Sequence, residues 1–221
     1  MRIRRFTHFL ASIAFFAAAT VAAHPVLAAE SQLRLPFVIH ASFFSQETHQ
    51  PKPVDPHVFV KDPSAPAAVG PQNIQHAASF RPALLTDPPS TRVFTADGKS
   101  LGFTLGQWLG AKGTVTVTPL ASGGARIAAR FMGLRPHGVY SVFENHFDQQ
   151  PVGFTPLDGT GTKNSFRAKS DGTATINVIA PEMLTHANAV LLVYHSDRKS
   201  HGSSRGEVRI DAHHQLIARP S

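Results

Sequence analysis

The sequence predicts an all-β protein, an antiparallel β-sandwich of about seven strands with one short helix, preceded by a proline-rich arm. Two observations carry that expectation. From Thr91 onward, short segments alternate apolar and polar residues with period two, as half-buried strands do. Glycine-containing turns separate them at close spacing, among them ASGG before Ala125, GLRPHG before Val139 and SDG before Thr173.

Taken in order, the chain opens on MRIRRF, with Arg2, Arg4 and Arg5 ahead of an apolar run from Phe9 to Ala23 and small residues ending at Ala28 and Ala29. That is the order of a secretory signal peptide, and the run is shorter than the roughly 20 residues a bilayer-spanning helix needs. Residues 1–29 therefore read as the leader, and cleavage after Ala28 or Ala29 is expected to leave a periplasmic or extracellular protein that starts at Ala29 or Glu30 and has no transmembrane segment. Residues 30–90 read as an arm or spacer. Within them Leu33–Phe44, LRLPFVIHASFF, is apolar enough for a short strand or a docking arm, whereas Pro51–Pro89 holds nine prolines. Proline fixes φ and removes a backbone donor, so that stretch is expected to be extended and outside the sheets.

The domain is expected over residues 91–221. Its strands are GTVTVTP from Gly113, ARIAARF from Ala125, VYSVFENHF from Val139, NSFRAK from Asn164, TATINVI from Thr173, AVLLVYH from Ala189 and HQLIAR from His214. NSFRAK and TATINVI should form a hairpin across SDG. In TLGQWLGAKG, Thr104 can cap a short helix whose Leu105, Trp108 and Leu109 share one face, with Gly113 ending it and Trp108 in the core.

Composition narrows the chemistry. There is no cysteine, which excludes disulfide scaffolds, thiol catalysis, cysteine-ligated zinc and the cysteine-containing blue copper site. Removing the three leader arginines leaves 18 basic against 14 acidic side chains, a net charge of +4, and no Lys/Arg cluster suited to nucleic acid. No phosphate-cradling loop or nucleophile-elbow motif is present.

Histidine is the unusual residue, with 13 in the chain. His146 ends the strand VYSVFENHF, His195 ends AVLLVYH, and His201 follows in the loop SDRKSHG. Strand ends on a rigid sandwich are where sites are built, and neutral imidazole suits copper and zinc. His146, His195 and His201, joined by Glu144 or Asp197, are the candidate metal ligands. Glu144 and His146 lie two apart on one strand and so project from one face.

FTLGQWLGAKGTVTVTP, GLRPHGVYSVFENHF, VLLVYHSDRKSHG and HHQLIAR together resemble a group of uncharacterised exported bacterial proteins that carry the same landmarks from about Val93 to Pro220. GLRPHGVYSVFENH is also similar, more faintly, to a strand of copper-zinc superoxide dismutases and the related CHRD sandwiches, in which a glycine-leucine-x-proline turn precedes a strand ending in histidine-x-histidine. That resemblance implies an immunoglobulin-like or superoxide-dismutase-like sandwich, with Glu144 at the first histidine position and His146 as the ligand carried over. The expected function is a non-enzymatic module that binds a small ligand or another envelope protein. The alternative is a copper or zinc metalloprotein or oxidoreductase, and the third reading is a structural module.

Overall fold

A computed structural model describes residues 32–221, and the leader lies outside the described residues. The apolar arm does dock. Its first strand, β1 (Leu33–Pro36), pairs antiparallel with β9 (Lys112–Pro119), and β2 (Val38–Ile39) pairs with β16 (Ala212–Ala218). The chain then turns directly into α1 (His40–Glu47).

All seven expected strands are present. One sheet has the order β1-β9-β10-β14, with β10 at Ala125–Met132 and β14 at Ala174–Ala180. Strict inside-outside alternation along β10 and β14 shows that this sheet has one face on the core and one in solvent. The second sheet has the order β12-β11-β15-β16-β2, where β11 is Val139–His146, β12 is Gly153–Pro156 and β15 is Asn188–His195. Every residue of β11, β15 and β16 is buried. Their Tyr140, Val142, Leu192 and Leu216 pack against the first sheet, while Phe143, Leu191, Val193 and Ile217 pack under Phe43, Phe147 and Phe154 on the far side. The second sheet is therefore a middle layer.

The proline-rich stretch departs from the expected spacer. It forms β3 (Val54–Lys61), the short pair β4 (Ala68–Val69) and β5 (Gln75–His76), and β6 (Phe80–Leu84). With β7 (Arg92–Phe94) and β8 (Ser100–Thr104) these build a third sheet in the order β6-β3-β7-β8. Val58, Val60 and Ala83 join the same core as the sandwich, which repays the ordering of this stretch. Proline is tolerated because β6 lies at the sheet edge and because β3 is irregular where Pro56 falls: Asp55 pairs with Ala83 but Phe59 with Pro82, so Pro56, His57 and Val58 bulge out of the ladder.

Two local expectations need correction. The helix α2 (Leu105–Leu109) has the full capping box, Thr104 with Gln107, but it ends at Gly110 and not at Gly113, which belongs to β9. The expected hairpin across SDG is a corner between sheets, since β13 (Ser165–Arg167) pairs with β11 and β14 pairs with β10. Trp108 is fully buried as expected.

Candidate metal centre

The helix, the bulge and the last strand each bring one histidine to a single buried point. His40 opens α1, His57 sits on the β3 bulge, and His214 lies beside a second bulge, where Leu192 pairs with Leu216 but Val193 with His214. Bulges re-aim side chains, and here two of them turn imidazoles from different sheets toward α1. One ring nitrogen from each of the three lies within 4.8 Å of the others. Ring centroids are 5.1 Å apart for His40 and His57, 4.9 Å for His40 and His214, and 3.9 Å for His57 and His214.

These nitrogens are short of partners. His40 Nδ1, both ring nitrogens of His57 and His214 Nδ1 are buried with no hydrogen bond, and Gln72 approaches the His57 ring without completing one. Leaving a buried polar group unsatisfied costs about 1–3 kcal/mol, so three such side chains in one place call for a ligand that uses them. All three are held neutral. Burial, with a smaller push from the Arg205 charge, lowers the His40 pKa to about 3. His57 and His214 are driven well below the ordinary histidine value by burial first and by the neighbouring histidines next.

The surroundings hold the backbone of the central ligand rigidly. Asp55 accepts the His57 amide at 2.8 Å through one carboxylate oxygen and the Trp108 indole N–H at 2.8 Å through the other. His213 Nδ1 donates to the His57 carbonyl at 2.8 Å, and Gln215 donates to the Trp108 carbonyl at 2.9 Å. These bonds fix the main chain from which the His57 ring projects, while the ring itself has no hydrogen-bond partner. Burial raises the Asp55 pKa to about 6 against the opposing hydrogen bonds from Trp108 and the backbone.

A cleft of about 520 Å³ reaches this point, lined among others by His40, His214, Phe43, Phe147, Phe154 and Arg219. Arg205 lies against two of these lining residues, His214 and Phe154. Its Nη1 donates to His214 Nε2 at 3.1 Å and its guanidinium lies 3.2 Å over the Phe154 ring. No carboxylate pairs with Arg205 among the described residues, and burial lowers its pKa to about 10.

The ligand set expected from sequence separates into two places. In the β11–β15 register Val139 faces His195 and His146 faces Asn188, so the seven-residue offset puts His146 roughly 23 Å along the sheet from His195. His146 does share its end with Glu144, as their spacing implied, and with the exposed Glu182. Both are engaged elsewhere: Glu144 accepts from the Asn188 amide, and His146 Nε2 lies 2.8 Å from Thr155 Oγ1. His195 and His201 do come together, with ring centroids 5.1 Å apart and with Asp197 at hand. His40 and His57 carry no spacing signal, because they lie in the stretches read as arm and spacer. The available hint was their setting, a lone histidine inside the apolar runs PFVIHASFF and VDPHVFV, with the paired His213 and His214 inside a strand.

No family model matches the chain, and no curated protein or solved structure matches it either.

Proposed function

We propose that this is an exported metal-binding β-sandwich protein whose centre is His40, His57 and His214, with copper(II) preferred over zinc(II). The observation that carries this reading is the convergence of three buried, neutral imidazoles, each with at least one buried ring nitrogen that lacks a protein partner. Three neutral nitrogen donors suit copper and zinc, and the Irving–Williams order ranks copper higher. Tetrahedral bonds of 2.0–2.1 Å place ligand nitrogens about 3.4 Å apart, so the nitrogens, now within 4.8 Å of one another, draw closer when an ion binds. A fourth position is left toward the aromatic cleft, where a small ligand could reach the ion. Among the described residues no helix is long and apolar enough to cross a membrane.

Calorimetric titration with copper at neutral pH tests the site. Wild type is expected to bind one ion at this centre with a Kd below about 1 micromolar, and His57→Leu, which fills the space without offering a nitrogen, to weaken that ion at least a hundredfold. Equal binding by the two proteins, or no binding tighter than about 10 micromolar, would sink the proposal.

Arg205 supplies a second check. Whichever nitrogen His214 offers to a metal, the guanidinium stands in the way: it occupies Nε2, and it would face the Nε2 proton that ligation through Nδ1 requires. Its positive charge also opposes that of the ion. Arg205→Met should therefore bind copper about tenfold more tightly, roughly 1.4 kcal/mol. Weaker binding would mean that Arg205 supports the centre instead of competing for it.

A further inference from the structure

A second cluster lies in the loop between β15 and β16. Its two ends are tied together, with the Ser196 amide donating to the Asp211 carbonyl at 2.9 Å and the Ser196 hydroxyl to the Ile210 carbonyl at 2.9 Å. The Asp211 amide in turn closes a turn on the Glu207 carbonyl at 3.0 Å. This stitching brings Asp197, His201 and Asp211 together, one ligand atom from each within 4.8 Å of the others. His201 Nε2 is 3.3 Å from Asp197 Oδ2, and Asp211 Oδ1 is buried without a partner.

The floor of the cluster supplies an independent observation. His195, at the end of β15, is fully buried; its Nε2 is taken by Ser141 Oγ at 2.8 Å, while its Nδ1 has no partner and its ring packs against that of His201. Burial lowers its pKa to about 4, so it presents a neutral nitrogen. Gly206 takes a positive φ of +81° beside the cluster, where a Cβ would fall 2.5 Å from Asp211 Oδ1 and 3.2 Å from His201 Nε2. Any side chain there would close the space between carboxylate and imidazole.

We propose that Asp197, His201 and Asp211, with the buried His195 packed against His201, form a second divalent-cation site that takes zinc. The donor set differs in kind from the all-histidine centre. Two carboxylates neutralise a doubly charged ion outright, and a mixed set of imidazole nitrogen and carboxylate oxygen is a zinc set. The site therefore prefers an ion that keeps its charge and geometry, whereas the centre facing the cleft has an open position. The inference does not depend on the first centre, since the two share no ligand.

Zinc titration of the purified, chelator-stripped protein separates the two sites. Wild type should bind two zinc ions per chain, His57→Leu one, Asp211→Asn one, and the double variant none, with circular dichroism confirming the β-fold in each. Asn keeps the shape of Asp and removes its charge, so loss of the ion is not loss of the loop. If Asp211→Asn binds as many zinc ions as wild type, or if His57→Leu binds none tighter than about 10 micromolar, the second site is overturned. If instead His57→Leu matches wild type while Asp211→Asn loses an ion, the second site stands and the all-histidine centre fails.

Discussion

Acidification of the metal-free protein from pH 7 to about pH 4.5 is expected to unfold it cooperatively, and the cause is the buried histidines. His40 has its pKa lowered to about 3, and His195 and His213 to about 4, in each case by burial first. His57 and His214 are also well below the ordinary value. An unfolded histidine titrates near 6.5. Between that pH and the folded values the unfolded chain binds more protons than the native one, so stability falls as pH falls. Each group contributes about 1.4 kcal/mol per pH unit in that window, on the order of 4 kcal/mol per unit for His40, His195 and His213 alone. Asp55, with its pKa raised to about 6, and Glu144 and Asp211, which burial also raises, act in the opposite sense, because the native state takes their protons first, but they are three groups against five. Total stabilities of about 5–15 kcal/mol are exhausted within roughly one to four units of such a slope. Far-UV circular dichroism and Trp108 fluorescence against pH measure the midpoint, and His57→Leu should move it to lower pH. Native spectra persisting to pH 3 would show that these side chains are not buried neutral.

Copper saturation is expected to raise the unfolding temperature of wild type by roughly 10 °C and that of His57→Leu by only a few degrees. An ion present at a thousand times its Kd stabilises the state that binds it by about 4 kcal/mol. For a domain of this size each kcal/mol is worth about 2–4 °C. The comparison distinguishes a metal centre from a merely structural cluster. Replacing a histidine with unpartnered nitrogens by an apolar side chain should leave the metal-free protein about as stable as before, since a buried group without a hydrogen bond is removed. Only the increment from copper should disappear. Differential scanning calorimetry at pH 7 with and without the ion gives both numbers, and an equal shift in the two proteins would count against His57 as a ligand. The lowered histidine pKa values also change the expected pH range of binding. Reference histidines would release a metal near pH 6.5, whereas His40, His57 and His214 resist protonation until the fold itself gives way.

The sandwich was legible because its signal is local. A strand with one face in water must alternate, so ARIAARF and TATINVI announce both their structure and their inward face. VYSVFENH and NAVLLVYH are buried on both faces, yet their β-branched and aromatic content with flanking turns still marked them as strands. The capping box at Thr104 and the burial of Trp108 were equally local matters. The proline-rich stretch was misleading for a physical reason. Its strands are short and interrupted, and they are ordered by contacts of Val58, Val60 and Ala83 with a core most of whose members lie far along the chain.

The same division holds for the candidate sites. By itself the sequence determined an antiparallel sandwich, a chain without thiol chemistry, and the pairing of His195 and His201 near Asp197, because those three lie within one strand end and its loop. Only the tertiary structure decided that His146 faces the other end of the sheet, since strand register is set by pairing between β11 and β15. It alone brought His40, His57 and His214 together, from a helix start and two bulged strands. A bulge reverses the face a side chain takes, and a ligand set assembled from three elements separated by up to 174 positions leaves no spacing in the sequence to read.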